Sequence, residues 1–295
     1  MHKVLLDVPA LGLHLHSFSA SLGLACLGAL LLTAWRARRE KINPEAVYEL
    51  AVWLLSGGFI GARVLYLVSH PGTVHSWTDV FKVWQGGIVF YGCILGGLIG
   101  SVIYWLRRPF PFRAMADAVA PGLAVGCAVG RLGCFFNGCC YGSICNLPWA
   151  ISFPSGSLPW GRHVLAGLIP LSATTSLPVH PAQLYAVLDG LALFALLTWY
   201  FPQRKRDGEV MALLMLTYPV TRFLIESLRA DEPALAVGLS MSQWISVGLF
   251  AVGCLVWVFL PKQPRGRWAD QVAADSAEAP QPIRSLNRDR DSVDA

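Results

Sequence analysis

Residues 114–136 read AMADAVAPGLAVGCAVGRLGCFF, and the chain continues NGCCYG through Gly142. Within those 23 residues only Asp117 and Arg131 are charged. A helix needs about 20 predominantly apolar residues to cross the hydrocarbon core of a bilayer. The stretch therefore predicts a membrane span that ends in an arginine and a run of cysteines. The rest of the chain agrees with a lipid environment. Hydrophobic residues make up 55% and charged residues 14%, with a mean hydropathy of +0.51. An ordinary soluble domain carries about 25% charged residues.

Working outward, seven spans are predicted: 17–35, 46–69, 87–106, 114–136, 182–201, 209–229 and 240–260. The chain of 295 residues is thus one all-α polytopic membrane protein rather than two soluble domains. Arg36, Arg38, Arg39 and Lys41 lie in one set of loops, with Arg107, Arg108, Arg113, Arg204, Lys205, Arg206, Lys262, Arg265 and Arg267. The opposite set holds only Lys3, Lys82 and Arg162. Basic residues concentrate in cytoplasmic loops, so the amino terminus is expected outside and the carboxyl terminus in the cytoplasm. The net charge of +5 has the same origin and calls for no nucleic-acid partner. No small-residue cleavage site follows the first span, which is expected to be a retained helix. The expected organisation is an external segment at 1–16, a seven-helix domain at 17–261 with a long external loop at 137–181, and a disordered cytoplasmic tail at 262–295.

Charges inside a span are expensive, about 2.5–3.5 kcal/mol each on insertion scales, and they draw attention for that reason. Arg63, Arg131, Arg222, Arg229, Asp117, Asp189 and Glu226 lie in or beside the spans. Arg222, Glu226 and Arg229 are spaced by four and three, so they share a helix face and can pair. Arg131 has no acidic neighbour within a turn or two, while Gly126, Gly130 and Gly133 leave room beside it. A guanidinium fork with space around it suits a phosphate. The glycines of GGFIGAR (57–63) and GCILGGLIG (92–100) read mainly as close-packing devices between helices.

Of the eight cysteines, Cys26, Cys93, Cys127 and Cys254 fall in apolar spans and read as small core residues. Cys134, Cys139, Cys140 and Cys145 have the spacing C-x4-C-C-x4-C, which is not that of a C-x2-C zinc pair. On the oxidising face of the membrane, one or two disulfides bracing the loop are expected, and the pairing is not readable. Neutral replacement of polar pocket residues by Cys134 and Cys139 is the other reading.

GRLGCFFNGCCYG (130–142) resembles the signature of bacterial prolipoprotein diacylglyceryl transferases. GAR (61–63), QGGIVFYGCILGGLIG (85–100), ADAVAP (116–121), HPAQLY (180–185) and RFLIESLR (222–229) match the family in order, over roughly residues 15–260. The resemblance implies an enzyme of the bacterial inner membrane without metal or organic cofactor. It would move the diacylglyceryl group of phosphatidylglycerol onto the lipobox cysteine of a preprolipoprotein and release glycerol phosphate. Arg131 falls on the family's phosphate-binding arginine, Arg222 on its second essential arginine and Gly142 on the closing glycine. Arg63 and Gly133 are further candidates for lipid contact, with Glu226, Arg229, His180 and Tyr185 in support.

Tyr91 stands where the family has a histidine, Cys134 where it has an asparagine and Cys139 where it has a glutamate. These departures bear on the base. The reaction needs a thiol to lose its proton, attack a glycerol carbon and expel a phosphate ester whose charge must be neutralised. A free thiol has a pKa of about 8.5, and Tyr91, ordinarily near 10, is a poor base at neutral pH. Tyr91 as a phosphate donor, His180, or the field of the arginines remain open alternatives. Two other functions compete: a membrane thiol–disulfide oxidoreductase built on Cys139 and Cys140, and an inactive paralogue serving as a lipid-binding scaffold.

Overall fold

The computed structural model describes residues 4–8, 13–70, 87, 89–108, 110–229, 237–260 and 267–278. Expectations at Lys3, Lys82, 262–266 and 279–295 lie outside the described residues. Two short strands, β1 (Val4–Val8) and β2 (Leu13–His16), pair antiparallel, with Val8 opposite Leu13 and Val4 opposite His16. They are the strand element that an all-α reading of the 1–16 segment omits. The helices follow: α1 (Ser17–Arg39), α2 (Pro44–Ser69), α3 (Phe90–Arg107), α4 (Phe112–Asn137), α5 (Leu158–Leu165), α6 (Ala182–Tyr200), α7 (Glu209–Ser227), α8 (Met241–Phe259) and α9 (Trp268–Glu278). Six of them (α1, α2, α4, α6, α7 and α8) are long and apolar enough to cross a membrane. The apolar stretch of α3, Tyr91–Arg107, falls just short of that length.

The helices expose rows of large apolar side chains, such as Leu24, Leu27 and Leu31 on α1 and Leu55, Phe59 and Ile60 on α2. A soluble monomer rarely presents so much contiguous apolar surface, and a lipid-facing bundle must. Between helices, small residues do the packing. α2 lies chiefly against α3, α1 against α4, α4 against α6, and α7 against α8. A methyl group on Gly96 would run into the Gly57 carbonyl oxygen, and one on Gly92 into that of Gly61. This is the small-residue contact that lets membrane helices approach closely.

The basic segments converge at one end of the bundle. Arg204, fully buried, pairs with Glu40 at the end of α1, with Asp117 on α4 (3.2 Å) and with Asp207 (3.8 Å). Asp117 also accepts from the backbone N–H groups of Gly208 (2.8 Å) and Met211 (3.0 Å). A carboxylate at the first turn of α7 meets the helix's unpaired N–H groups and the positive end of its dipole. Arg36 donates to Thr198 (2.8 Å), and both Arg36 and Arg204 stack on Phe201. Arg206 donates to the Leu260 carbonyl at the end of α8 (2.9 Å).

The tail segment differs from a wholly disordered one. Trp268 opens α9, its backbone N–H donates to Asp207 (2.8 Å), and its ring packs on the cluster of Ala34, Ala37, Ile42, Val47, Ala114 and Met115. A single large aromatic at the start of a polar segment supplies enough apolar contact to dock it.

At the other end, the 137–181 loop is folded back on the bundle. Ile151 pairs with Val179, and Pro154 with Thr175. Phe153 is fully buried against Tyr141 and Val179. Ser157 caps α5 by accepting from Trp160 N (3.4 Å), and buried His163 accepts from Leu177 N through Nδ1 (3.2 Å). Burial lowers the His163 pKa, keeping the ring in the neutral form that can accept.

Candidate active site

α4 carries Arg131 toward the loop end of the bundle, and α7 carries Tyr218, Arg222 and Glu226 to the same level. Arg131 lies in the electrostatic range of Cys134, Cys140, Tyr218 and Arg229. Arg222 in turn feels Arg131, Glu226, Tyr218 and Arg229. The three arginines therefore form one half-buried cluster.

Their pairing is unequal. One oxygen of Glu226, Oε2, accepts from Arg222 at 2.6 Å and from Arg229 at 3.0 Å, and Glu226 is only 4% exposed. Arg222 also reaches Ser242 on α8 (3.4 Å). For Arg131, no hydrogen bond or ion pair is found among the described residues. A buried guanidinium carries five donors that need acceptors. Glu226 pairs with two of the three guanidinium groups and leaves Arg131 outside its reach. A guanidinium fork without an ion partner among the described residues has the chemistry to accept a phosphate or another oxyanion.

Gly142 shows why the signature closes on a glycine. Its N–H donates to the His180 carbonyl (2.9 Å), and it bridges to Arg229. Ser143 N donates to Leu228 O (2.8 Å), and His180 N donates to Ser143 O (3.0 Å). A Cβ on Gly142 would lie 2.5 Å from the His180 Cβ and 2.9 Å from the Leu228 oxygen. The chain threads between the start of α6 and the end of α7, and only a glycine fits.

His180 is part of this brace. Its Nδ1 lies 3.3 Å from the Tyr185 hydroxyl, which accepts from Trp149 Nε1 at 2.7 Å. His180 and Tyr185 thus tie Trp149 of the loop to the start of α6.

Other expected residues fall elsewhere. Gly133 does not open space beside Arg131: a Cβ there would lie 2.8 Å from the Ser21 Cβ, so it is a packing glycine between α4 and α1. Around Gly130, by contrast, there is open space. Arg63 donates to the Gly87 carbonyl (3.1 Å) and sits over the Tyr66 ring. Arg63 and Tyr91 lie on the α2–α3 pair, which contacts the remaining helices chiefly through α1. The groups acting on Arg131 come instead from α4, α7 and the 139–140 turn.

The disulfides expected among Cys134, Cys139, Cys140 and Cys145 are not formed, and all eight cysteines are free. The Sγ atoms of Cys134, Cys139 and Cys140 nevertheless lie within 4.8 Å of one another. Hydrogen bonds from Cys134 and Cys139, with the fields of Arg131 and Arg229, hold the Cys140 thiol far below its ordinary pKa. The spacing gives no sign of this convergence, because it depends on two left-handed residues, Gly138 (φ 74°) and Cys140 (φ 57°).

Sequence reasoning also passed over Tyr218 and left Asp189 unassigned. Asp189 accepts from Thr221 (3.0 Å) across the α6–α7 contact, and it acts on Cys127 and Tyr218 beside the arginines. Its signal was an ionisable residue inside a span.

The fold and the site together define a multi-pass helical membrane protein with a cluster of three arginines at one end of the bundle. Its relatives narrow that class. A family profile described as prolipoprotein diacylglyceryl transferase matches residues 3–259. "Phosphatidylglycerol--prolipoprotein diacylglyceryl transferase 2" of Clostridium perfringens (strain 13 / Type A) is 32% identical over 248 residues, 83% of this chain and 91% of the relative. The proteins named phosphatidylglycerol--prolipoprotein diacylglyceryl transferase in Gloeobacter violaceus and Paracidovorax citrulli are 36% and 35% identical, covering 78% and 79% of this chain and 82% of each relative. The chain belongs to the prolipoprotein diacylglyceryl transferase family.

Proposed function

We propose that this chain transfers the diacylglyceryl group of phosphatidylglycerol to the lipobox cysteine thiol of a preprolipoprotein, in the bacterial inner membrane. The observation that carries this is Arg131, a half-buried guanidinium with no ion partner among the described residues, beside the Arg222–Glu226–Arg229 group. In this reading Arg131 forks the lipid phosphate and Arg222 adds a second positive charge. The thiolate attacks the glycerol carbon, the carbon–oxygen bond breaks, and glycerol phosphate leaves with the electron pair. Charge building on the leaving oxygens is met by dipoles and charges already in place. Arg63 and Tyr91 contribute from the α2–α3 side, Gly142 holds the loop, and His180, Tyr185, Glu226 and Arg229 position the groups around it.

The same reading takes α3 as a seventh span and puts the Arg204 end in the cytoplasm, with the Arg131 end and the 137–181 loop outside. Convergence of the basic segments at one end supports this orientation.

Complementation tests the function. The resident transferase is depleted from a bacterium, this chain is expressed, and a lipoprotein's mass is followed for the added diacylglyceryl group. Lipidation that disappears with Arg131→Ala is the expected result. A membrane-inserted wild-type protein that lipidates nothing would leave an inactive lipid-binding paralogue.

A further inference from the structure

We propose that Cys134, Cys139 and Cys140 form a three-thiolate site for Zn2+, with the fourth coordination position left open toward the Arg131 centre. The geometry is the first argument. Zinc–sulfur bonds are about 2.3 Å, so three sulfurs around one ion sit about 3.8–4.0 Å apart. The three Sγ atoms already lie within 4.8 Å of one another, and a contraction of about an ångström or less closes the site.

The backbone is shaped to bring them together. Cys134 lies in the last turn of α4, Gly138 turns the chain in the left-handed region, and Cys140 adopts φ 57°, a conformation uncommon for a residue with a side chain. Such a conformation persists only where the surroundings hold it, and it concentrates at functional sites. Here the surroundings are Gln183, fully buried, whose Nε2 donates to the Cys139 carbonyl at 2.7 Å, and the Gly142–His180 brace. The Gln183 Oε1 is buried without a hydrogen-bond partner among the described residues.

Charge and ligand type favour this ion. Thiolates select thiophilic metals, and zinc with three protein ligands keeps a position for water or substrate. Three thiolates and one Zn2+ carry one net negative charge, which the neighbouring Arg131 and Arg229 offset. Cys145 is not part of the cluster.

The site has a consequence that rests on the transferase reading. Zinc held by Cys134, Cys139 and Cys140 would lower the pKa of a substrate thiol brought beside it, near the Arg131 fork, so that the thiol would react as a thiolate. Its sulfur then forms a bond to the glycerol carbon while the carbon–oxygen bond breaks. The electron pair and one proton end on the released glycerol phosphate, so the step needs no oxidant or reductant. This supplies the thiol activation that Tyr91 is poorly suited to give.

The test begins with zinc content. The full chain is purified in detergent under reducing conditions, and zinc is measured by elemental mass spectrometry. About one zinc per chain is expected, retained in Cys145→Ser and reduced at least tenfold in Cys134→Ser and Cys140→Ser. Cobalt substitution of the wild type should give a thiolate charge-transfer band, which keeps the test independent of whether the variants fold. Substoichiometric zinc, zinc unaffected by the triad substitutions, or a disulfide within the triad in protein taken from the membrane would each overturn the site. Lipidation is measured separately, before and after chelation. Full-rate lipidation by zinc-free protein overturns the catalytic role and leaves the transferase reading intact. Bound zinc with no lipidation in either state supports the site and sinks the transferase reading.

Discussion

Replacing Glu226 with glutamine isolates the electrostatics of the centre. The Glu226 Oε2 holds Arg222 at 2.6 Å and Arg229 at 3.0 Å, with side-chain exposures of 13% and 6% for the arginines and 2% for the glutamate. At an effective dielectric of about 20, each contact is worth roughly 5–6 kcal/mol before desolvation is counted. Removing one member of a buried ion pair typically costs about 3–5 kcal/mol, because the remaining charge stays buried. Here two guanidinium groups lose their counter-ion while Arg131 repels both. Glu226→Gln should therefore lower stability by about 3–5 kcal/mol, or roughly 10 °C in a thermal unfolding scan in detergent. Glu226→Gln with Arg229→Gln should recover part of the loss, since one uncompensated cation is removed with the anion. Added glycerol phosphate should stabilise the single variant more than the wild type. A single variant as stable as the wild type, or a double variant no better than the single, would show that the three arginines are not one coupled centre.

Other expectations follow from individual contacts. Arg131→Lys keeps the charge and loses the fork, so one charge-assisted hydrogen bond of about 1.5–3 kcal/mol disappears and kcat/KM for lipidation should drop about 10- to 100-fold. Gly96→Ala drives a methyl into the Gly57 carbonyl and should destabilise by about 1–3 kcal/mol, whereas Gly23→Ala, with nothing within 4 Å of the new methyl, should be near neutral in a thermal scan. Burial depresses the His163 pKa below that of the unfolded chain, about 6.5, so its contribution is complete above that pH and is lost as pH falls through the depressed value. The protection factor of the Leu177 amide, its exchange rate relative to the intrinsic rate at each pH, should fall on acidification in the wild type, and that fall should be absent in His163→Gln. Asp117→Asn keeps the shape of the α7 cap and removes the charge facing Arg204, and should lower thermal stability by about 3–5 kcal/mol.

The helices were legible because a membrane span is read from one property, apolar length, bounded by basic residues. The stretch at 182–201 became α6 at Ala182–Tyr200, and that at 240–260 became α8 at Met241–Phe259. The pairing of Glu226 with both arginines was legible too, since helical spacing fixes which residues share a face. What escaped was set by the third dimension. Gly130 and Gly133 look alike in the sequence, yet one meets open space and the other meets Ser21, because α1 packs against α4 at one position and nothing does at the other. The thiol convergence depends on two backbone angles that no spacing encodes. The docking of α9 rests on a single tryptophan in an otherwise polar segment.

The knot of charge around Arg204 has a mechanical consequence. It fastens the ends of α1, α4 and α6 to the start of α7, and parting them would strand several buried ions at once. At the far end the ties found among the described residues are single hydrogen bonds, such as Arg222 to Ser242, Thr221 to Asp189 and Gln183 to the Cys139 carbonyl, with a few backbone bonds around Gly142. The bundle is built like a clothes-peg, sprung at one end, so any widening that admits a two-tailed lipid is cheapest at the jaw where Arg131 sits.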